Sequence, residues 1–310
     1  MKKYLFLLFF VCMLTSCSRE KCAESLRSMY YWQTVFHVDS AEQKFLQVHD
    51  VSRLYVRYFD VVFDESRGIV PNATISFEGK VPEGVEIVPT IYIVNECMRQ
   101  NVDSLPRLIL KRILQMNETN DIAGVEEIQI DCDWTMQTQE RYFSFMKTLQ
   151  RLCHEKDLKL STTIRLHQLS LNTPPADRGV LMAYNTGDVT KLDVERPILD
   201  VKDVRPYLHS LAGYRLELSA AYPLFTWRVL FRGGKYVGIM HSDDDLPVLS
   251  GDTIVVRQPS LDDILQTRNA LDEERRDVHY EVILYDLSDK NIQRFNSKDY
   301  EKIFVGNGNK

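Results

Sequence analysis

Residues 126–134 alternate polar and apolar side chains and end in two aspartates that are two positions apart. Successive side chains of a strand point to opposite faces. One face therefore carries Glu127, Gln129, Asp131 and Asp133, and the other carries Ile128, Ile130 and Cys132. The apolar face needs a covering layer, which the helical pattern of residues 138–155 supplies directly downstream. A strand that ends in reactive groups and leads into a helix is the unit from which (β/α) barrels build their functional sites.

Strand-like and helix-like runs alternate along the rest of the chain, which is the pattern of a parallel sheet. The predicted strands are residues 29–36, 53–59, 86–94, 127–133, 159–165, 180–184, 214–221 and 281–286. The predicted helices are residues 40–50, 104–116, 138–155, 201–211, 261–274 and 297–303. Eight strands in this order predict an α/β fold, a single TIM-like (β/α)8 barrel that occupies residues 27–310.

The segment 222–258 is too long and too strand-like for one crossover helix. It contains two apolar runs on either side of Gly233-Gly234. This pattern predicts a β-hairpin inserted after barrel strand 7. Insertions at this position lie on the rim where barrels bind their substrates.

The amino terminus has the pattern of a secretory signal. Lys2 and Lys3 precede an apolar run, and Leu14-Thr-Ser-Cys17 follows it. This tetrapeptide resembles a bacterial lipobox, which implies cleavage after a signal peptide of residues 1–16 and lipidation of Cys17, with residues 17–26 as the lipidated tether. The membrane would then be a partner through the lipid anchor. Ser18 differs from the aspartate that retains lipoproteins at the inner membrane, so we expect an outer-membrane location; the leaflet is open, and an ordinary signal peptide that contains a cysteine is the alternative.

Charge excludes some classes of partner. Loss of Lys2 and Lys3 lowers the basic residues from 38 to 36 against 44 acidic ones, a net charge of −8 for the mature chain. Nucleic acid is therefore not an expected partner. The sequence has no Gly-rich phosphate loop and no Cys/His spacing typical of zinc, so we predict no cofactor and no metal.

Four cysteines lie beyond Cys17, at positions 22, 97, 132 and 153. An envelope location permits disulfides, and Cys132 on its strand could contact Cys153 on the following helix. Buried free thiols that pack as small apolar groups are the alternative.

The predicted inner faces of the barrel are polar. They carry Tyr55 and Arg57, Thr90 and Tyr92, Gln129 and Asp131, Thr163 and Arg165, and Glu217 and Ser219. Because unpaired buried charges are costly, we expect Arg57, Arg165 and Glu217 to pair with one another or with the aspartates. Such a network could simply close the barrel. Alternatively, a polar interior rich in tyrosine could bind a sugar, whose hydroxyls need hydrogen bonds and whose ring faces need aromatic surfaces.

Two motifs resemble those of glycoside hydrolase family 18, which contains chitinases and endo-N-acetylglucosaminidases. That family carries D-x-x-D-x-D-x-E on barrel strand four and M-x-Y-D on strand six. This chain has Glu126-x-x-Gln129-x-Asp131-x-Asp133 and Met182-x-Tyr184-Asn185 on the corresponding predicted strands. The motifs cover residues 125–190, and elsewhere the resemblance is one of architecture. The I-D-x-D strand end is also similar to uncharacterised bacterial envelope proteins, from which no activity can be carried over.

The family resemblance implies a catalytic role for each matched residue. Asp133 would protonate the glycosidic oxygen, Asp131 would orient the acetamido group of the substrate, and Tyr184 with Asn185 would hold the intermediate. The chain departs from the family at the acid, because Asp133 is one methylene shorter than glutamate. In the alternative register Asp133 aligns with the orienting aspartate, and Thr135 occupies the acid position.

Seven further residues are predicted to contact the ligand. These candidates are Arg57, Tyr92, Arg165, His167, Tyr222, Trp227 and Tyr285. Tyr222 and Trp227 could stack on a sugar, Tyr285 stands where the family has a tryptophan under the bound sugar, and His167 could carry a proton. The sequence therefore predicts an envelope lipoprotein that acts on a glycan (a divergent glycosidase), with a catalytically inactive glycan-binding module or a structural envelope protein as alternatives.

Overall fold

The computed structural model of the chain describes residues 25–242 and 245–306. The predicted signal peptide, the lipidation site Cys17, Cys22 and most of the tether lie outside the described residues. Within the described ranges, no helix combines the length and the apolar composition needed to cross a bilayer.

Eight parallel strands form a closed barrel. The strands of the described residues are β1 (Leu26–Tyr31), β2 (Val35–Phe36), β3 (Val51–Asp64), β4 (Gly68–Asn72), β5 (Ser76–Phe77), β6 (Glu86–Ile93), β7 (Glu127–Asp131), β8 (Lys159–Arg165), β9 (Arg178–Met182), β10 (Leu218–Pro223), β11 (Trp227–Arg232), β12 (Lys235–Met240), β13 (Thr253–Arg257) and β14 (Glu281–Tyr285). The barrel order is β1-β3-β6-β7-β8-β9-β10-β14, and the ring closes because β1 pairs with both β3 and β14. The predicted α/β class and (β/α)8 barrel are confirmed.

Helices follow most of the barrel strands along the chain. They are α1 (Ser40–Val48), α2 (Leu105–Thr119), α3 (Gln139–His154), α4 (Val201–Leu208), α5 (Leu261–Glu274), α6 (Asp289–Ile292) and α7 (Ser297–Val305). The connection from β3 to β6 contains β4 and β5 and no helix, and the connection from β8 to β9 contains only a short 3-10 helix, Leu166–Ser170. The barrel is thus irregular at these two connections.

The predicted insertion after barrel strand 7 is present and is larger than predicted. The hairpin β11–β12 is joined by β13, which pairs antiparallel with β11 on its other side. Sequence analysis missed β13 because a segment of 12 residues separates it from the hairpin. A second extension was also missed: β3 continues to Asp64 and pairs antiparallel with β4.

The two faces of β7 differ in polarity, as the alternation of residues 126–134 predicts. Ile128, Ile130 and Cys132 are buried against the helices, whereas Gln129 and Asp131 point into the barrel. Among the described residues, Cys97, Cys132 and Cys153 are buried free thiols, so the bond between Cys132 and Cys153 that the sequence left open is not formed.

The amino-terminal half of the barrel interior holds a buried ion network. Arg178 pairs with Glu281, and its Nε lies 3.3 Å from Glu127 Oε2. Tyr55 Oη donates to Glu281 Oε1 at 3.1 Å, and Arg53 Nη1 lies 3.6 Å from the same oxygen. This network is separate from the predicted pairing of Arg165 with the aspartates, which is also present at the other end of the barrel.

The assignment of Glu217 to the inner face is wrong. Barrel strand β10 begins one residue later, at Leu218, and Glu217 is exposed. Glu281, which the sequence analysis did not assign to the interior, does enter it: it begins β14 and is fully buried.

Candidate functional site

Asp131 is the last residue of β7, at the mouth of the barrel, by which we mean the opening at the carboxyl ends of its strands. Only 3% of the surface of Asp131 is exposed. Thr163 Oγ1 donates to Asp131 Oδ1 at 2.6 Å, and Arg165 Nη2 donates to the same oxygen at 3.1 Å. Burial raises the pKa of Asp131, and the nearby Arg165 guanidinium opposes that rise.

Asp133 lies two residues beyond the strand, and its side chain is 48% exposed. Its Oδ1 accepts a hydrogen bond from Arg165 Nε, so one guanidinium holds both aspartates. We call this the arginine bridge. It forms because β7 and β8 pair in register, with Ile130 opposite Thr162, which brings the ends of the two strands side by side. Burial alone would lower the pKa of Arg165, but the two carboxylates outweigh it and raise this pKa above its usual range.

Tyr184 and Asn185 follow β9, which pairs with β8 so that Met182 is opposite Arg165, and they therefore lie beside the arginine bridge. Tyr184 is 6% exposed, and Arg165 and Asp131 are close enough to influence the pKa of its hydroxyl, which burial raises. Asn185 is exposed and has φ +56, a left-handed conformation that asparagine tolerates better than most residues. Its N–H donates to the Ile198 carbonyl oxygen at 2.6 Å, which holds the turn in place.

Aromatic side chains form a continuous row across the mouth. The ring of Tyr285 lies 5.5 Å from Trp32 and 5.8 Å from Phe225, and Phe225 lies 5.2 Å from Trp227. We call these four residues the aromatic row. Tyr285 also contacts Tyr184 at 5.5 Å between centroids, so the row borders the polar residues of the mouth. The predicted ligand contacts Tyr285 and Trp227 are therefore joined through Phe225.

Arg57 lies on the far side of the mouth, on β3. Its Nε donates to Asp60 Oδ1 at 2.7 Å, and its guanidinium carbon lies 5.5 Å from the centroid of the Trp32 ring. Tyr92 is paired in the sheet with Asp60 on one side and with Asp131 on the other. Burial, together with Asp133 and Asp131, raises the pKa of Tyr92 to about 12.

Two predicted ligand contacts are placed differently from the others. His167 is exposed in the 3-10 helix after β8; burial lowers its pKa, and Asp133 acts in the opposite direction. Tyr222 is fully buried on the helix-facing side of β10, and its Oη lies 2.6 Å from His279 Nε2. The structure thus does not bring Tyr222 into the mouth, because a shift of one position along a strand moves a side chain to the opposite face.

Sequence analysis missed several residues of the mouth, which are Tyr30, Trp32, Asp60 and Phe225. Trp32 directly follows the aromatic end of β1, but the predicted strand 29–36 ran past it, so the sequence did not mark it as a residue beyond a strand end. Asp60 lies beyond a register shift between Arg57 and Phe59, which changes the face that the strand presents. In the described part of the chain, no group of three or more His, Cys, Asp or Glu side chains is arranged to hold a metal ion.

Comparison of the structure with solved proteins gives clear likenesses. No family model matches the sequence, and no curated protein matches it. A chitinase from Chromobacterium violaceum superposes with a TM-score of 0.60 at 11% identity, over 91% of this chain and 98% of that one. The spore cortex-lytic enzyme SleL of Bacillus cereus gives 0.55 at 14% identity, over 92% and 75%. A class V chitinase mutant from Cycas revoluta, solved in complex with (GlcNAc)3, gives 0.54 at 12% identity, over 89% and 100%.

These likenesses establish the class of the fold. The chain is a divergent (β/α)8 barrel with the architecture of the glycoside hydrolase family 18 chitinases, as the motifs at Asp131 and Tyr184 indicated. At identities of 9 to 14%, the likeness concerns the fold, and the chemistry has to be argued from the residues of the mouth.

Proposed function

We propose that the mouth of this barrel binds a glycan that contains N-acetylhexosamine. The observation that carries the proposal is the position of the arginine bridge beside Tyr184 and the aromatic row. Carboxylates and tyrosine hydroxyls offer hydrogen bonds to sugar hydroxyls, and the aromatic rings offer apolar surfaces to the sugar ring. The fold likeness adds support, since the Cycas revoluta chitinase mutant was solved in complex with (GlcNAc)3.

Binding is tested by calorimetric titration of the protein with (GlcNAc)4. We expect saturable binding that Tyr285→Ala weakens by about tenfold, because an aromatic contact contributes on the order of 1 kcal/mol. Tyr280→Ala is the matched control, since Tyr280 is 48% exposed and precedes β14 at the opposite end of the barrel. Absence of binding by a folded protein would refute the proposal.

Hydrolysis of the bound glycan is the second candidate, favoured by the proximity of Asp131, Asp133 and Tyr184. Asp133 is the residue whose position matches the acid of the family motif. Two features weaken it as a proton donor: its side chain is shorter than glutamate, and Arg165 occupies its Oδ1. A misplacement of about 1 Å can reduce a rate by about 100-fold.

Turnover and binding have to be measured separately to decide between these candidates. If the wild-type protein releases reducing ends from (GlcNAc)4, Asp133→Asn should lower the rate by about 100-fold or more and leave binding intact. Asp133→Glu restores the length of the family acid and should then raise the rate. Binding without turnover in the wild type would identify a glycan-binding module. Absence of both, with a lower melting temperature for Asp133→Asn, would favour a structural role.

We further propose that Cys17 carries a lipid anchor and that the protein belongs to the cell envelope, at the outer membrane. The motif Leu14-Thr-Ser-Cys17 supports this. The first described strand, β1, begins at the amino-terminal end of the barrel, so a tether that precedes Leu26 joins the barrel on the side opposite the mouth. An anchored protein would present its mouth away from the membrane. Cys17→Ala should abolish fatty-acid labelling and release the protein from the membrane fraction, and unchanged labelling would refute the anchor.

A further inference from the structure

The charges at the mouth do not balance. Arg57 is bound by Asp60, which leaves Arg165 as the partner of both Asp131 and Asp133. One guanidinium therefore faces two carboxylates, and the arginine bridge has a surplus of one negative charge when both aspartates are ionised.

The arginine bridge uses only one oxygen of Asp131. Both of the donors described above, Thr163 and Arg165, bind its Oδ1. The Asp131 residue is only 3% exposed, and because Thr163 and Arg165 both donate to Oδ1, neither of them occupies its Oδ2. Arg165 likewise binds Asp133 through Oδ1 and leaves the second oxygen of that exposed carboxylate accessible.

Aromatic faces strengthen the preference for a cation. Tyr285 and Trp32 are partly exposed at the mouth, and the Arg57 guanidinium already lies over the Trp32 ring. The faces of aromatic rings attract cations electrostatically, most strongly where water is partly excluded. Uncompensated carboxylates and aromatic faces therefore both favour a positively charged ligand.

We infer that the mouth prefers a hexosamine whose amino group is free and protonated over its N-acetylated form. This inference rests on the proposed glycan binding and concerns which form of the hexosamine the mouth binds more tightly, with both forms as ligands. An ammonium has three N–H donors and a positive charge, and the second oxygens of Asp131 and Asp133 are acceptors for it, whereas an acetamido group offers one neutral N–H. The free amino group supplies the positive charge that the arginine bridge lacks.

The test compares the tetrasaccharides (GlcN)4 and (GlcNAc)4 by calorimetry at pH 5.5, with cellotetraose as the uncharged sugar and tetralysine as the cation without sugar. A partly exposed ion pair and a cation–π contact together correspond to about tenfold in affinity, so we expect (GlcN)4 to bind about tenfold more tightly than (GlcNAc)4. The preference should decrease with added salt. Asp133→Asn should reduce it severalfold without weakening the binding of (GlcNAc)4 to the same extent.

A matched control variant is Asp157→Asn. Asp157 is exposed in the turn after α3, at the other end of the barrel, and asparagine tolerates its φ of +58. This variant should keep the full preference for (GlcN)4.

Three outcomes would overturn the inference. Equal or tighter binding of (GlcNAc)4 would refute the preference and leave the proposed glycan binding intact. Tetralysine binding as tightly as (GlcN)4 would reduce the effect to non-specific attraction of cations. Absence of binding by every sugar, with the protein folded by circular dichroism, would refute the proposed function itself.

Discussion

The guanidinium of Arg165 binds the carboxylate of Asp133 at the mouth of the barrel, and it does so while also holding the buried Asp131. The residue joins a half-exposed acid to a buried one, and the two contacts have different consequences. Loss of the exposed contact changes the affinity for a ligand, whereas loss of the buried contact changes stability.

We expect Arg165→Met to destabilise the protein by about 3 kcal/mol, because it leaves Asp131 buried without its cation. The measurement is the free energy of unfolding in urea. Adding Asp131→Asn to the variant should recover most of the loss, since the uncompensated charge is then absent. Arg151→Met is the control: Arg151 forms an exposed pair with Glu155, and its loss should cost less than about 1 kcal/mol. A loss for Arg165→Met as small as that of the control would contradict the argument.

Asp286 should make the stability depend on pH. Burial raises the pKa of Asp286 from 3.8 to about 6, although Asn291 donates a hydrogen bond that opposes the rise. The folded state therefore binds this proton more tightly than the unfolded state does. The charged carboxylate destabilises the fold above pH 6, and the penalty disappears as the pH falls below 4.

Asp286→Asn consequently should stabilise the protein at pH 7.5 by about 2 kcal/mol and have little effect at pH 4. The comparison is made by urea unfolding at both values, with Asp157→Asn as the control for an aspartate far from the mouth. A stabilisation equal at both pH values would show that the effect does not come from titration of Asp286.

Tyr222→Phe should affect stability and leave ligand binding unchanged. It removes the hydroxyl that lies 2.6 Å from His279 Nε2, whose Nδ1 in turn lies 2.6 Å from Asp272 Oδ1. Leaving a buried histidine nitrogen without its partner costs about 1–2 kcal/mol. Chemical denaturation measures the loss, and titration with (GlcNAc)4 measures the affinity. A marked decrease in affinity would mean that Tyr222 reaches the ligand after all.

Trp32→Ala should weaken (GlcNAc)4 binding by about tenfold and change the melting temperature only a little. Trp32 is half-buried at the mouth, so its ring can contact the ligand. Quenching of the remaining tryptophan fluorescence during titration reports the affinity. Trp134→Phe is the control, since Trp134 is fully buried against Tyr142 and outside the barrel interior. Equal losses of affinity in both variants would indicate a general change in the fold.

The alternation of residues 126–134 was sufficient to place Asp131 at the end of a buried strand and to predict the helix behind it. Local periodicity also predicted the barrel, because the spacing of apolar residues along each strand and helix indicates which of its faces is buried. The motifs on strands four and six placed Asp131, Asp133, Tyr184 and Asn185 at the same end of the barrel.

The tertiary structure alone decided which charges meet. Arg165 could have paired with Glu217 or with the aspartates, and the register of β7 with β8 selected Asp131 and Asp133. The same holds for Tyr222, which directly follows the predicted strand 214–221, and Tyr285, near the end of the predicted strand 281–286: one faces the helices and the other the mouth. Strand boundaries and register decide which charges pair and which side of the sheet each side chain occupies. Long-range contacts set both, and a shift of one residue moves every side chain to the opposite face. The sequence therefore determined where the site lies, and the packing of the barrel determined which side chains form it.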